Sequence, residues 1–304
     1  MSETRCGFVA IIGAPNAGKS TLINALVGEK VSIVTRKAQT TRSIVRGVLT
    51  KGEAQIVLVD TPGLFAPKRR LDRAMVASAW GAAADADVLA LMIDARKEAG
   101  QSSLSEETQA ILSGLSHSRK PKLLVLNKID LAERPKLLGL AARLNDALRF
   151  DETFMISAAS GDGLGRLAER LSELMPPGPW LYPEDQIAEA PMRSLAAEIT
   201  REKLIERLHD ELPYQATVET DSWKDLPDGS ARIEQTIFVT RESHRKIVLG
   251  EGGRAIKAIG TAARKDIAAA NGSNVHLFLH VKVRENWLDD PERYRAMGLE
   301  FPKG

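Results

Sequence analysis

The stretch that decides the fold of the first half of the chain is Gly13-Ala14-Pro15-Asn16-Ala17-Gly18-Lys19-Ser20-Thr21. It fits the phosphate-binding pattern G-x-x-x-x-G-K-[ST]. The apolar run Phe8 to Ile12 precedes it as a buried strand, and residues 22–27 follow it as the start of a helix. In that setting the N–H groups of the loop and the positive end of the helix dipole face one point. The stretch therefore predicts a triphosphate site, with Lys19 on the phosphates and Ser20 on a magnesium ion.

Two further segments follow apolar strands and add the magnesium and base contacts. Asp60-Thr61-Pro62-Gly63 ends a strand, so Asp60 can hold the magnesium shell and Gly63 can bring a backbone N–H close to a γ-phosphate. Asn127-Lys128-Ile129-Asp130 ends another strand, and its carboxylate can accept both N–H groups on the N1/N2 edge of guanine. Adenine offers no such pair of donors, so this segment favours GTP over ATP.

The remaining nucleotide contacts come from two short loops. Ser157-Ala158 follows a strand and can offer a backbone N–H to guanine O6. Gln39-Thr40-Thr41-Arg42 lies between the first helix and the next strand. A threonine hydroxyl there can complete the magnesium shell while a γ-phosphate is present, which predicts a switch loop released after hydrolysis. Thr41 is the expected ligand and Thr40 is the alternative.

Length and composition limit the class of protein. A chain of 304 residues predicts about two domains, and 43% hydrophobic with 27% charged residues is the composition of a soluble globular protein. The single cysteine, Cys6, excludes an internal disulfide and fits a reducing cytoplasm. No apolar run approaches the roughly 18 residues of a membrane helix, and the start has no apolar signal core. We therefore expect a cytoplasmic protein.

Strand and helix patterns alternate over residues 1–175 and predict a mostly parallel sheet with helices on both faces. The predicted strands are 7–12, 44–49, 54–60, 87–94, 121–127 and 153–157, and the predicted helices are 18–27, 71–84, 103–114, 135–149 and 163–175. Every nucleotide segment that follows a strand then lies at its carboxyl end, where such sheets bind ligands. Residues 176–190 are rich in proline, which removes backbone donors and predicts a stiff linker.

A second domain with its own tail is predicted over residues 191–304. Its pattern is a helix over 191–212, strands over 214–223 and 231–240, helices over 243–249 and 254–270, and a strand over 274–283. The order is therefore α-β-β-α-α-β. The loop Gly250-Glu251-Gly252-Gly253 joins two helices, and its glycines allow close approach to a sugar–phosphate backbone.

Positive charge is concentrated around this glycine loop. The stretch from Arg241 to Lys265 carries seven Lys/Arg against two acids, a net charge of +5 in a chain whose net charge is +2. Such a patch is typical of nucleic-acid binding, although a solvated helix face gives the same pattern. The expected RNA contacts are Gly250, Glu251, Gly252, Gly253, Arg254, Lys257, Arg245 and Lys246. Glu251 is the odd member, since its charge opposes phosphate contact.

Along nearly its whole length the chain resembles the Era family of bacterial ribosome-assembly GTPases. The resemblance covers Gly13 to Thr21, Gln39 to Arg42, Asp60 to Gly63, Asn127 to Asp130, Ser157-Ala158 and the tail from Trp287 to Leu299. The second domain resembles a type-II KH domain. The expected fold is thus an α/β P-loop GTPase domain followed by an α+β type-II KH domain. The loop of the family usually has a non-acidic residue where this chain has Glu251.

This resemblance implies an activity and a set of partners. The activity is slow hydrolysis of GTP to GDP with Mg²⁺, by Lys19, Thr41 and Gly63 as catalytic residues and Ser20, Thr41 and Asp60 as metal ligands. The implied partners are the 3′ end of 16S ribosomal RNA and the 30S subunit. The protein is expected to be monomeric, and a peripheral association with the cytoplasmic face of the inner membrane is left open. Potassium is also left open, because Asn16 is either its ligand or a turn residue after Pro15.

The sequence also allows two functions other than that of an Era-like GTPase. Leu64 stands where a Ras-like enzyme has a water-orienting glutamine, so the intrinsic rate is expected to be low. Because hydrolysis is slow, an alternative function is that of an RNA-binding or membrane-surface protein, in which GTP is a structural or sensing ligand. The other reading, a tRNA-modifying GTPase, requires a C-terminal cysteine and an N-terminal folate-binding domain. Here the single cysteine is Cys6 and the GTPase motifs begin at once.

Overall fold

The structure is a computed structural model that describes residues 4–37, 40–208 and 212–302, apart from the side chain of Ala296. The chain forms two compact units. Unit 1 consists of Met1–Ser32, Thr41–Glu189 and Met297–Gly304, and unit 2 consists of Ile33–Thr40 and Ala190–Ala296. Each unit has its own sheet and its own hydrophobic core.

The described residues of unit 1 form a six-stranded sheet with the order β2-β3-β1-β4-β5-β6. Its strands are β1 (Arg5–Ile12), β2 (Val45–Lys51), β3 (Ala54–Asp60), β4 (Val88–Asp94), β5 (Lys122–Asn127) and β6 (Glu152–Met155). β2 runs antiparallel to β3, and the other neighbouring pairs are parallel. The predicted mostly parallel sheet is confirmed, and each predicted strand agrees with the observed bounds to within two residues.

Helices cover both faces of this sheet, as predicted. They are α1 (Lys19–Val27), α2 (Arg70–Asp85), α3 (Ala95–Glu98), α4 (Glu106–Leu115), α5 (Arg134–Ala147) and α6 (Leu164–Leu174). α1 and α6 pack on one face through residues such as Leu22 and Leu167, and α2, α4 and α5 pack on the other. α4 begins at Glu106 rather than at 103, because Ser105 Oγ accepts the Thr108 N–H and caps the helix there. The one-turn helix α3 was not predicted.

The proline-rich residues 176–189 contact the sheet of unit 1 through isolated backbone bridges at both ends of the segment. The Cys6 N–H donates to the Pro176 carbonyl, and the Val48 N–H donates to the Ile187 carbonyl at 2.9 Å. Gln55 is fully buried, and its carboxamide accepts the N–H groups of Leu181 and Tyr182 and donates to the Tyr182 carbonyl. Proline removes donors but keeps its carbonyls, so this segment can be held by donors of the sheet.

Unit 2 has the predicted α-β-β-α-α-β order. Its elements are α7 (Met192–Arg207), β7 (Ala216–Asp225), β8 (Ala231–Val239), α8 (Glu242–Leu249), α9 (Arg254–Asn271) and β9 (Val275–Val283), followed by α10 (Pro291–Ala296). β7 and β8 are antiparallel and β8 and β9 are parallel, and apolar residues of α7, α8 and α9 fill the core against the sheet. One predicted bound is wrong: the helix predicted to end at 212 ends at Arg207, because Leu208 is extended. The other predicted bounds of unit 2 agree to within two residues, and β7 begins at Ala216 after a 3₁₀ turn.

Within the part of the chain that the structure describes, no helix combines the length and the apolar character needed to cross a bilayer.

Replacing Gln55 with leucine tests the attachment of the proline-rich segment. Gln55→Leu removes three hydrogen bonds to the segment. The segment should then detach more readily, by roughly 1–3 kcal/mol, and chymotrypsin should cut after Trp180 or Leu181 about tenfold faster. The measurement is mass spectrometry of timed digests. Gln109→Leu, on the exposed face of α4, is the matched control, and equal cleavage rates in the two variants would contradict the role of Gln55.

Candidate functional site

The loop of residues 13–18 lies between β1 and α1 and depends on glycine at both ends. Gly13 has φ +154°, and a β-carbon there would lie 2.3 Å from the Met92 carbonyl oxygen. Gly18 has φ +103°, and a β-carbon there would lie 2.3 Å from Asn127 Nδ2. Gly18 is also the N-cap of α1 and has no side chain to satisfy the first-turn N–H groups. The loop therefore offers backbone donors at a helix N-terminus, which is an anion-binding arrangement.

The Lys19 side chain hydrogen-bonds to the backbone of this loop. Its Nζ donates to the carbonyls of Gly13 at 3.1 Å and Ala14 at 3.0 Å, and the side chain is nearly fully buried. Burial lowers the pKa of Lys19 to about 8, while the charge of Asp60 opposes this shift. A polyphosphate beside the ammonium would favour its charged form, so the residue is suited to a phosphate contact.

Three predicted metal ligands converge at the tip of β3. Ser20 Oγ donates to Asp60 Oδ2 at 2.6 Å, and Thr41 Oγ1 lies 3.0 Å from Ser20 Oγ and 3.4 Å from Asp60 Oδ2. Asp60 is fully buried, and its Oδ1 has no hydrogen-bond partner among the described residues. Hydroxyl and carboxylate oxygens are the ligands that Mg²⁺ prefers, so this donor set fits a magnesium ion.

Burial raises the pKa of Asp60. The hydrogen bonds from Ser20, Ser32 and Thr41 and the charge of Lys19 lower it and so favour the carboxylate. The third hydroxyl of this group, that of Ser32, was not predicted. Its Oγ donates to Asp60 Oδ2 at 2.7 Å.

The structure separates the two threonines between which the sequence left a choice. Thr40 Oγ1 lies 2.6 Å from Thr35 Oγ1 and donates to the Lys37 carbonyl at 2.8 Å. Thr41 Oγ1 instead lies beside Ser20 and Asp60. The geometry therefore favours Thr41 as the metal ligand over Thr40. Gln39, the first residue of the predicted switch loop, lies outside the described residues.

The Asp60–Gly63 segment is held close to the phosphate loop. Thr61 is buried and its Oγ1 donates to the Ile11 carbonyl at 2.7 Å. A β-carbon at Gly63 would lie 2.8 Å from Pro15, so only glycine lets the two loops approach this closely. The Leu64 N–H donates to the Gly13 carbonyl at 3.0 Å, and the Leu64 side chain is buried in the core.

The predicted base-recognition segments meet the phosphate loop from the other side. Asn127 is buried, and its Nδ2 donates to the Ala17 carbonyl at 2.8 Å while its Oδ1 accepts the Ala158 N–H at 2.9 Å. One side chain thus joins three predicted nucleotide segments. Asp130 is exposed in the 3₁₀ turn that follows β5. The buried Ser157 N–H is used inside the protein, since it donates to the Asp162 carbonyl at 3.0 Å.

Lys128 ties this loop to the phosphate loop. It has φ +64°, and its Nζ donates to the Asn16 carbonyl at 2.7 Å and pairs with Asp94 Oδ2 at 2.5 Å. Asn16 also has a positive φ, +62°, which is typical of asparagine in a turn. Asp94 was not singled out from the sequence, although its place at the end of β4 is the same signal that marked Asp60 and Asn127.

The glycine loop of unit 2 joins α8 and α9, as predicted, and contains a local ion pair. Gly252 and Gly253 have φ +59° and +76°, and a β-carbon at Gly252 would meet nothing within 4 Å. Gly250 has φ +70°, and a β-carbon there would lie 2.6 Å from Ala255 Cβ. The Glu251 carboxylate pairs with the Arg254 guanidinium, and both side chains are largely exposed. The positive charge of Arg254, one of the predicted RNA contacts, is therefore partly neutralised by Glu251.

The surface around this loop combines exposed cations with an apolar floor. Lys246 and Lys257 are exposed, whereas Arg245 pairs with Glu242 at 2.8 Å. Ile247 is 54% exposed on α8. Leu279 of β9 is half-buried, 3.4 Å from where a β-carbon of Gly260 would stand. Apolar side chains flanked by a glycine loop and lysines can hold bases and phosphates together.

Comparison with known proteins gives matches over both units. A family model described as 50S ribosome-binding GTPase matches residues 8–128, and one described as KH domain matches residues 211–288. The curated relative GTPase Era of Afipia carboxidovorans strain OM5 is 64% identical over 300 residues, covering 99% of this chain and 96% of the relative. GTPase Era of Brucella suis biovar 1 is 61% identical over 301 residues, covering 99% and 95%.

Two solved Era structures are similar to this chain over nearly its full length. A crystal structure of Era in complex with MgGDPNP and nucleotides 1506–1542 of 16S ribosomal RNA has a TM-score of 0.90 to this chain at 37% identity, covering 97% of this chain and 99% of that one. An Aquifex aeolicus Era variant bound to GDP.AlF4- has a TM-score of 0.89 at 36% identity with the same coverage. Sequence identity above 60% over nearly the full length, with the same two domains in the same order, places the chain in the Era family of GTPases.

Proposed function

We propose that the protein is a GTP-binding and GTP-hydrolysing switch that binds the 3′ end of 16S ribosomal RNA and assists assembly of the 30S subunit. One observation carries this proposal. The same chain has Ser20, Thr41 and Asp60 gathered beside a phosphate loop and an open G-x-x-G loop in a second unit. The Era structure that contains MgGDPNP and nucleotides 1506–1542 of 16S ribosomal RNA supports the same ligands for this chain.

On this proposal the phosphates of GTP lie on the N–H groups of residues 13–21. Lys19 would exchange its carbonyl contacts for the β/γ-phosphates, and Ser20, Asp60 and Thr41 would hold Mg²⁺. When bound, the metal neutralises charge that develops on the phosphate oxygens. Gly63 brings a backbone N–H toward the γ-phosphate, and Thr41 makes the switch loop sensitive to whether that phosphate is present.

Guanine would lie between the loops that Asn127 joins. Asn127 holds the backbone at Ala17 and Ala158, and Lys128 holds the loop of residues 127–130 against Asn16. The exposed Asp130 carboxylate is then placed to accept the two N–H groups of guanine. The nucleotide contacts of the proposal are Gly13, Ala14, Pro15, Asn16, Ala17, Gly18, Lys19, Ser20, Thr21, Asp60, Thr61, Pro62, Gly63, Asn127, Lys128, Asp130, Ser157 and Ala158.

The proposed hydrolysis is slow, because Leu64 is apolar and buried and cannot orient a water molecule. This favours a switch that holds GTP for long periods over a rapid catalyst. For Asn16, the positive φ supports the turn role, and ligation of a potassium ion remains the alternative.

RNA recognition is proposed for the glycine loop with Arg245, Lys246, Arg254 and Lys257. KH grooves clamp a few unpaired nucleotides, so single-stranded RNA is the expected form. Lys246 and Lys257 are exposed for phosphate contact, whereas Arg254 would first have to leave Glu251.

The division into residues 1–175, 176–190 and 191–304 is kept as the proposed functional organisation. In the structure, residues 33–40 group with the second unit, and residues 176–189 and 297–304 group with the first. We further propose a monomer in the cytoplasm, with peripheral membrane association as an addition to be tested by sedimentation with vesicles.

Changing Asp130 tests the base contact. Asp130→Asn replaces an acceptor of two N–H groups with a carboxamide, so GTP affinity should fall and xanthosine triphosphate affinity should rise. A charge-assisted pair left with one partner is worth on the order of 2–5 kcal/mol, which is a loss in affinity of roughly 30-fold to several thousandfold. Competition titration against a fluorescent GDP analogue measures both. Asp146→Asn, exposed on α5, is the matched control, and unchanged GTP affinity in Asp130→Asn would contradict the assignment.

Changing Glu251 tests whether the ion pair limits RNA binding. Glu251→Gln releases the Arg254 guanidinium, so binding to a single-stranded fragment of the 16S 3′ end should tighten roughly three- to tenfold, with a steeper salt dependence. Lys257→Ala should weaken binding and reduce the salt slope by about 0.7. Filter binding over a salt series measures both effects, and Glu206→Gln on α7 is the control.

A third variant decides whether RNA uses this loop. Gly252→Asp adds a negative charge at the point of closest approach, and the space around Gly252 is open, so the fold should persist. RNA binding should be lost, while GTP hydrolysis without RNA stays near the wild-type rate. RNA binding equal to wild type in Gly252→Asp would contradict the proposed RNA site.

A further inference from the structure

Ser32 is a buried hydroxyl at the magnesium site that belongs to none of the predicted motifs. It is 3% exposed, and its Oγ donates to Asp60 Oδ2 at 2.7 Å. The same oxygen accepts Ser20 Oγ at 2.6 Å. Asp60 Oδ2 therefore receives two short hydrogen bonds, one from a proposed metal ligand and one from Ser32.

The position of Ser32 is fixed by a residue of α1. Asn24 Oδ1 accepts the N–H groups of Val31 and Ser32, each at 2.9 Å, and Asn24 Nδ2 donates to the Ser32 carbonyl at 2.7 Å. Two of these bonds satisfy the N–H and the carbonyl of Ser32, and the third holds the preceding residue, Val31. Because Ser20 and Asn24 are four residues apart on α1, they lie on one face of the helix. The same face of α1 therefore carries Ser20, a proposed metal ligand, and Asn24, which holds Ser32 beside the Asp60 carboxylate.

The two carboxylate oxygens of Asp60 differ in their hydrogen bonding. Oδ2 is occupied by hydroxyl donors, while Oδ1 is buried and has no hydrogen-bond partner among the described residues. A buried carboxylate oxygen without a donor is costly unless a cation or its water shell satisfies it. Without Ser32, the carboxylate would keep only one short hydrogen bond, from Ser20, and the longer one from Thr41 at 3.4 Å, so it could rotate and exchange the roles of its oxygens.

We propose that Ser32 is a positioning residue for the magnesium site: it fixes the Asp60 carboxylate so that Oδ1 faces the cation, and Asn24 fixes Ser32. Ser32 itself is not a metal ligand in this proposal. The proposal rests on the proposed nucleotide function, since it requires Mg²⁺ to bind with the nucleotide. It predicts that loss of the Ser32 hydroxyl weakens Mg²⁺ more than it weakens the nucleotide.

The test is the Mg²⁺ dependence of dissociation of N-methylanthraniloyl-GDP, followed by stopped-flow fluorescence with excess GDP as the chase. In Ser32→Ala, the Mg²⁺ concentration that gives half of the full slowing should rise about tenfold, the effect of losing one hydrogen bond to a charged group. The rate in EDTA should stay within twofold of wild type. Ser32→Thr keeps the hydroxyl and should restore most of the Mg²⁺ dependence. Asn24→Ala should shift it in the same direction as Ser32→Ala.

Two controls separate positioning from a general effect on folding. Ser113→Ala removes an exposed hydroxyl of α4 and should leave the Mg²⁺ midpoint unchanged. Thermal melts of Ser32→Ala in EDTA and in Mg²⁺ with GDP should show a larger loss of melting temperature with Mg²⁺ and GDP. A Mg²⁺ midpoint within twofold of wild type, or equal losses in both melts, overturns the proposal. Failure of the wild-type protein to bind the GDP analogue would instead overturn the proposed function.

Discussion

The burial of the Asp60 carboxylate is the constraint on which the nucleotide site depends. The residue ends β3, a strand buried along its whole length between β1 and β2, so the carboxylate cannot reach solvent. A buried carboxylate keeps its charge only if hydrogen bonds and cations surround it. Here three hydroxyls, from α1 and from both ends of the following loop, converge on it with Lys19 nearby. The need to stabilise one charge thus brings separate segments together.

The described residues between Ser32 and Thr41 contact a different part of the protein. Ile33 is buried in a cluster with Ala196 and Ile199, and the Val34 N–H donates to Glu202 Oε1 at 2.9 Å. The buried Arg201 guanidinium donates to the Thr40 carbonyl, and Lys37 donates to the Leu208 carbonyl. Residues 33, 34, 37 and 40 therefore pack on α7 and its C-terminal end, while Ser32 and Thr41 contact Asp60.

Much of the fold and the site followed from local sequence patterns. Lys19 follows β1 and its glycine loop, while Asp60 and Asn127 are the last residues of β3 and β5. Because parallel strands bring their carboxyl ends to one edge of a sheet, the meeting of these residues could be predicted. Asp94 ends β4 and carries the same signal, but it was not singled out from the sequence. Ser32 lies at no strand end, and its role depends on Asp60, 28 residues away in the chain. The path of residues 176–189 depends on Gln55, more than 120 residues earlier in the chain. The pairing of Glu251 with Arg254 is local, but only the backbone of the loop decides that the two side chains meet.

We propose that the charge on Asp60 makes the site a working GTPase and not a passive GTP holder. Single-turnover hydrolysis of GTP at saturating Mg²⁺, with nucleotide occupancy measured in parallel, compares wild type with the nearly isosteric Asp60→Asn. We expect slow but complete hydrolysis by the wild-type protein, and a loss on the order of 10²-fold or more in Asp60→Asn when GTP remains bound. Wild-type protein that holds GTP without hydrolysing it, or Asp60→Asn that hydrolyses at the wild-type rate, would rule out this role of Asp60.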